Sequence, residues 1–304
     1  MEITFLGTSA GVPTRERNVS AIALRPDQHT GWELYDCGEA TQHRIMESDL
    51  SLYRLERIFI THLHGDHVYG LFGLLASRGM LMCESPLEIY GPPGLRELVR
   101  NVRSLSQLNL PYELRIREPE AGAILEFEDC DIRVIPLSHS ITSFGYCRIE
   151  RPRPGRFDPN KARELGLPTG PLYGRLQRGE RVEFKGRTVT PDMVMGPSRP
   201  GRRIAIAGDN DRPELFADCA PLDLLIHECT YLQKDFDRLP RKFKHTTALQ
   251  LGIAAESMGV RTLAATHFSP RYGDVDAMQA IEREVRENYK GELVLADDGS
   301  KIRL

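Results

Sequence analysis

The stretch Thr61-His62-Leu63-His64-Gly65-Asp66-His67 (THLHGDH) follows directly on the apolar run Leu55-Glu56-Arg57-Ile58-Phe59-Ile60. The run predicts a short strand, which puts the polar residues at the strand's C-terminal end. Three of the nine histidines in 304 residues, and one aspartate, stand within residues 62–67. A polar loop does not gather such a set by chance. A strand-end turn can aim the alternate residues His62 and His64 at one metal ion and swing Asp66 and His67 toward a second. Imidazole and carboxylate donors without thiolate suit Zn2+ best, with Mn2+ and Fe2+ open.

Outward from this segment the chain alternates strands and helices. MEITFLGTS, AIALRP and WELYDCG, with Asn, Gly and Pro between them, predict consecutive antiparallel strands. PLEIYGP, the two halves of ILEFEDCDIRVIPLSHS, and GYCRIE predict further strands. VYGLFGLLASRGML, GLRELVRNVRSLSQL, TALQLGIAAESMGV and VDAMQAIEREVREN predict helices. RRIAIAGDN, LDLLIHECTY and TLAATHFSP predict buried strands that end in Asp, Glu or His. An α/β fold with a two-sheet core flanked by helices accounts for this order, as one domain over residues 1–304.

Composition narrows the setting. The six cysteines are scattered with no C-x-x-C pair, which argues against a zinc ribbon or a disulfide framework and for free thiols in a reducing cytoplasm. MEITFLGTSAG lacks the apolar stretch of a signal peptide, and no apolar run is long enough to cross a bilayer. A cytoplasmic protein without a membrane partner is expected. The net charge is −3, yet residues 151–203 hold 13 Lys/Arg against 5 Asp/Glu. That Gly/Pro-rich, basic stretch predicts an inserted arm, at residues 151–199, made to meet an anion.

The order His-x-His-x-Asp-His after an apolar strand resembles the metallo-β-lactamase superfamily, which implies an αββα sandwich with a two-metal cleft and, here, the basic arm inserted into it. By that resemblance His62, His64, His139 (PLSHS) and Asp209 (IAGDN) would hold one zinc. Asp66, His67, Asp209 and His267 (ATHFS) would hold the other, making two per subunit. Asp66 could also accept the nucleophile's proton, and Asp36 (LYDCGE) would orient a ligand histidine from behind. A structural Asp in a strand-end turn is the alternative for Asp36. Such a metal pair can generate hydroxide from water and clamp a phosphoryl oxygen.

FLGTSAGVPTRERNVS, YDCGEATQ, LIHECTY, KHTTA and THFSPRY together resemble short-form ribonuclease Z over essentially the whole chain. The resemblance implies a metal-dependent hydrolase, an endonuclease of tRNA processing that removes the 3′ trailer from precursor tRNA. The cut falls after the discriminator nucleotide and leaves a 3′-hydroxyl on the tRNA. A 3′-exoribonuclease or general phosphodiesterase of the same fold, and an acyl or lactone hydrolase, remain the alternatives. His245 and Glu228 match the family's His–Glu pair, which implies an imidazolium able to protonate the departing ribose oxygen. On residues alone, His245 reads as a solvated helix N-terminus with Thr246 or Thr247 as cap.

Arg15 and Arg17 (PTRERN) and Arg271 (HFSPRY) are expected at the substrate. Where the family pattern carries Lys, Arg15 keeps the charge but not the geometry. Asn210 stands where the family has Thr, which implies altered contacts around an intact ligand. GLPTGPLYGRLQRGE resembles the tip of the family's arm, so Gly170, Pro171, Tyr173, Arg175 and Arg178 are expected to grip tRNA. Leu167, Leu172 and Tyr173 would form a small core there, with Arg175, Arg178 and Arg181 free and DPNKARELG a short helix capped by Asp158. The family also implies a homodimer.

Overall fold

A computed structural model describes residues 1–27 and 29–304. The strands run in chain order as β1 (Glu2–Gly7), β2 (Ala21–Arg25), β3 (Trp32–Tyr35), β4 (Leu55–Phe59), β5 (Leu87–Tyr90), β6 (Leu114–Arg117), β7 (Ile124–Glu126) and β8 (Cys130–Leu137). They continue as β9 (Ser143–Glu150), β10 (Val182–Phe184), β11 (Arg187–Val189), β12 (Arg203–Ile206), β13 (Leu224–Glu228), β14 (Thr262–Thr266), β15 (Glu292–Leu295) and β16 (Lys301–Arg303). One seven-stranded sheet has the order β16-β1-β2-β3-β4-β5-β6, and a second has β15-β14-β13-β12-β9-β8-β7.

The expected antiparallel opening holds for β1 to β3. From β3 to β6 the pairing is parallel, because helices carry the chain back between strands. Residues of the helices Gly70–Met80 and Leu95–Leu105 join strand residues in one core, through Leu71, Leu74, Leu75, Leu95 and Val99. The helices Ala248–Ser257 and Val275–Asn288 follow the second sheet's parallel strands β13 and β14. They approach closely enough that a Cβ at Gly252 would stand 2.6 Å from the Val285 carbonyl. Between the sheets Tyr146 meets Phe59 with the rings tilted by 56°, centroids 5.2 Å apart, and donates its hydroxyl to the Ile60 carbonyl at 2.7 Å. The fold is the expected αββα sandwich, and His62, Asp209 and His267 all lie just beyond C-terminal strand ends. No helix of the described residues is long and apolar enough to cross a membrane.

Where the sequence reads as one domain with an insert, the chain divides into two compact units: residues 1–126, 132–148 and 203–304, and residues 127–131 with 149–202. The basic stretch 151–199 falls in the second. At its neck Arg153 and Arg199 exchange backbone hydrogen bonds of 2.9 Å each way. Asp158 caps the helix Pro159–Glu164 by accepting from the Asn160 and Lys161 amides. That helix stops at Glu164, with Gly166 just beyond it at positive φ. Gly170 then caps a second helix, Pro171–Gln177, opened by Pro171, whose missing N–H costs nothing there.

The small core of this unit is larger than expected. Ala162, Leu167, Leu176, Val182, Val189 and Val194 are buried, with Leu172 and Tyr173 packed against them. The Tyr173 hydroxyl donates to the Leu167 carbonyl at 3.2 Å. The hairpin β10–β11 turns at Lys185 and Gly186, both at positive φ. Arg175 and Arg178 are not free. Each donates to Glu180, at 2.8 and 3.2 Å. Arg181 is exposed.

Candidate metal centre

Thr61 and Asp36 set the first two histidines. Asp36 accepts the Thr61 amide at 2.7 Å and the Thr61 hydroxyl at 2.9 Å. Having given up its proton, Thr61 Oγ1 can only accept from His62 Nδ1, 3.0 Å away. Asp36 Oδ2 also accepts from His67 Nδ1 at 2.7 Å. Both rings thereby turn Nε2 inward. Burial opposes charge on His67, but the facing carboxylates of Asp209, Asp36 and Asp66 outweigh it and hold the imidazole well above its usual range, a charge that a bound cation would replace. The helix turn Gly65–Val68 carries Asp66 and His67 inward from the strand-end loop.

His139 and His267 are fixed in the same manner. His139 Nδ1 donates to the Lys244 carbonyl at 3.0 Å, and His267 Nδ1 stands 3.1 Å from Thr230 Oγ1. The Thr230 hydroxyl proton goes to Glu228, so its oxygen accepts from His267. Asp36 and His267 both adopt left-handed backbone, at φ 58° and 56°.

The free ring nitrogens converge in two groups. His64 Nδ1 lies 3.1 Å from His62 Nε2 and 3.2 Å from His139 Nε2. His67 Nε2 lies 3.3 Å from His267 Nε2, with Asp66 Oδ2 at 3.4 Å. In the first group neutral rings direct lone pairs at one another, and in the second a charged His67 stands among carboxylates. A shared cation satisfies both arrangements. His62, His64 and His139 form one such set, and Asp66, His67, Asp209 and His267 another, each with donor atoms within 4.8 Å of one another. All six cysteines are buried elsewhere as free thiols. The donor set thus fits divalent cations.

Asp209 faces both groups. Its Oδ1 is 3.3 Å from His67 Nε2 and 3.3 Å from His267 Nε2, while Oδ2 is 3.8 Å from His62 Nε2. Burial works against its charge, but the facing histidines, His267 foremost, hold the carboxyl well below its usual range. Burial in turn pushes His62 well below the usual imidazole range, keeping it neutral. Gly208 is required here because a Cβ would stand 2.5 Å from the Thr61 Cβ.

Beside these groups His245 Nδ1 is 3.1 Å from both Glu228 oxygens. Glu228 also accepts the Asn210 amide at 2.7 Å and the Thr246 amide at 3.1 Å. Burial opposes the charge on His245, yet the Glu228 carboxylate outweighs it and raises the imidazole pKa to about 9. A dication alongside would draw that value down. Thr247 caps the following helix in a capping box with Gln250. His245 therefore precedes the helix that the residues alone suggest, with its ring turned to Glu228 instead of solvent.

The remaining predicted positions divide. Arg15 is exposed. Arg17 is not available to a substrate as expected, because it donates to Thr8 Oγ1 at 2.6 Å, to the Ala296 carbonyl at 2.7 Å, and pairs with Asp297. Arg271 lies over the Tyr231 ring at 5.1 Å and donates to Ser269 Oγ at 3.2 Å. Asn210 donates from Nδ2 to His227 Nε2 at 2.8 Å and accepts the Arg212 amide on Oδ1 at 2.8 Å. Thr61, Thr230 and the segment Arg241–Lys244 were not foreseen. That segment, with His64, His139 and His245, lines a cavity of about 450 Å³.

Comparison with known proteins places this geometry. A family model described as anti-Pycsar protein Apyc1 matches residues 1–146. Ribonuclease Z of a Cyanothece species is 44% identical over 281 residues, covering 92% of this chain and 88% of the relative. The crystal structure of human tRNase Z, short form, superposes with a TM-score of 0.71 at 28% identity, covering 100% of this chain and 99% of that one. A metallo-β-lactamase fold protein of Bacillus subtilis superposes at 0.70 with 17% identity, covering 99% and 98%, a likeness of fold.

Proposed function

The chain belongs to the ribonuclease Z family, and from that premise we propose how its residues divide the work. The reaction is removal of the 3′ trailer from precursor tRNA by phosphodiester hydrolysis after the discriminator, leaving a 3′-hydroxyl. The observation that carries the assignment is the bidirectional Asp209, one oxygen toward each histidine group. His62, His64, His139 and Asp209 would hold one zinc, and Asp66, His67, His267 and Asp209 the other. Zn2+ is favoured by imidazole and carboxylate donors, ahead of Mn2+ and Fe2+. When bound, such a pair supplies hydroxide at neutral pH and neutralises charge on the phosphoryl group.

The chain's own residues do the rest. Asp66, anchored by the Gly11 amide at 2.8 Å, takes the proton of the attacking water. His245, held charged by Glu228, gives a proton to the leaving ribose oxygen. Asp36 fixes the tautomer of His67. Exposed Arg15 and Arg271 meet phosphates of the acceptor end. The arm, 151–199, grips the body of the tRNA through its backbone shape and phosphates, with Gly170, Pro171 and Tyr173 shaping the tip. With Arg175 and Arg178 sharing Glu180, each brings less net charge to the RNA than a free guanidinium. A homodimer in the cytoplasm completes the proposal.

Mapping the 3′ end made from a defined precursor tRNA tests the function. A product ending anywhere but at the discriminator refutes it and leaves the hydrolase standing. Asp36→Asn should weaken metal binding roughly 10- to 100-fold, read by chelator competition. Undiminished affinity would return Asp36 to a purely structural role. Replacing residues 154–198 by a short Gly-Ser turn joins Arg153 to Arg199 where they already pair. That excision should abolish precursor cleavage while bis-p-nitrophenyl phosphate is still hydrolysed. Parallel loss of both activities would make the arm structural.

A further inference from the structure

Hydrolysis that leaves a 3′-hydroxyl on tRNA forms a bond from water oxygen to phosphorus and breaks the bond to the upstream ribose 3′-oxygen. The proton delivered to that oxygen must come from the tRNA side of the scissile phosphate. In the proposed function, on which this inference rests, His245 is the donor. The residues just before it in the chain line the same cavity, beside the donor to the last tRNA nucleotide.

Those residues are Arg241, Lys242, Phe243 and Lys244. The backbone there is pinned to the reaction centre at two points. The Lys244 carbonyl accepts from His139 Nδ1 at 3.0 Å, and the Phe243 carbonyl accepts the His245 amide at 3.0 Å. Phe243 lines the cavity yet is 47% exposed, with the Arg241 guanidinium 5.8 Å from its ring centroid. A solitary exposed phenylalanine is ordinary. One placed at a reaction cavity, among three cations in four residues and with no carboxylate among them, matches the chemistry that binds single-stranded nucleic acid. In such sites cations track phosphates and an aromatic ring takes a base. Phe236, nearby in sequence, also has a cation over its ring, Lys242 at 4.7 Å, but it is half-buried and its carbonyl holds that ammonium in place.

We propose that Phe243 is the stacking platform for the base of the last tRNA nucleotide, with Arg241 and Lys244 on its flanking phosphates. Phe243 thereby positions the ribose whose 3′-oxygen leaves, and so helps set the cleavage point.

The test crosses Phe243→Ala with precursor tRNAs that lack a base at single positions. On an intact precursor the variant should raise KM roughly tenfold, the worth of one stacked base. With the discriminator base removed, wild type and variant should converge to within about twofold of each other. Phe243→Tyr should behave as wild type and Phe243→Leu as the alanine variant. The inference falls if Phe243→Ala leaves KM unchanged on the intact precursor. It also falls if the variants converge only when the first trailer base is the missing one, because the platform then faces the other side. Wild-type protein that leaves the intact precursor uncut refutes the function itself, and the inference with it.

Discussion

Asp209→Ala will cost at least about 10,000-fold in kcat/KM on precursor tRNA, and the same preparation will lose its bound metal. Two consequences meet at one side chain. Oδ1 stands at 3.3 Å from both His67 and His267, and Oδ2 at 3.8 Å from His62. On the proposed assignment, removing the carboxylate would deprive both cation positions of a ligand, and it leaves a buried histidine cluster without its central negative charge. The metal contribution to phosphoryl transfer is several kcal/mol, which sets the scale of the loss. Asp209→Asn keeps the shape but not the charge, so it should bind at most one equivalent of metal and remain nearly inactive. Metal analysis with activity on bis-p-nitrophenyl phosphate checks both. A variant that holds two equivalents and cuts at a tenth of the wild-type rate would remove Asp209 from the bridging role.

His245→Ala separates proton delivery from everything else. It should lower kcat on precursor tRNA by roughly 100- to 10,000-fold, the range for losing a positioned general acid. Metal content should remain at the wild-type level. On bis-p-nitrophenyl phosphate the leaving p-nitrophenolate needs no proton, so the loss there should be under about tenfold. Glu228→Gln should follow the same split, because Glu228 keeps His245 charged and turned to the cavity. Equal losses on both substrates would mean that His245 supports the metal centre or the fold and delivers no proton.

The sequence carries the fold's layers and the candidate metal residues plainly. Strand-terminal His62, His64, His139, Asp209 and His267 are legible because a functional side chain at a strand end interrupts an apolar run. The parts that were not legible depend on partners distant in sequence or on the direction of one proton. Arg17 looks available in PTRERN, and nothing local announces Asp297, which is 280 positions away. Thr61 and Thr230 look like ordinary turn residues until their hydroxyls are seen orienting His62 and His267. Two features of the arm do have local signals. Glu180 lies within five positions of both Arg175 and Arg178, and Lys185-Gly186 between β-prone residues is a hairpin signal.

The left-handed backbone at Asp36 and His267 has an evolutionary consequence. An L-residue held there gives up roughly 1–2 kcal/mol relative to its preferred conformation, a noticeable share of the roughly 5–15 kcal/mol that keeps a domain folded. Glycine would relieve that tension at either position but, on the proposed assignment, would remove a side chain that holds a metal or orients its ligand. Stability and activity thus pull in opposite directions at two named sites. A descendant relieved of the need to cut RNA should drift first at residues 36 and 267, so their identity reports whether a relative is still a working nuclease.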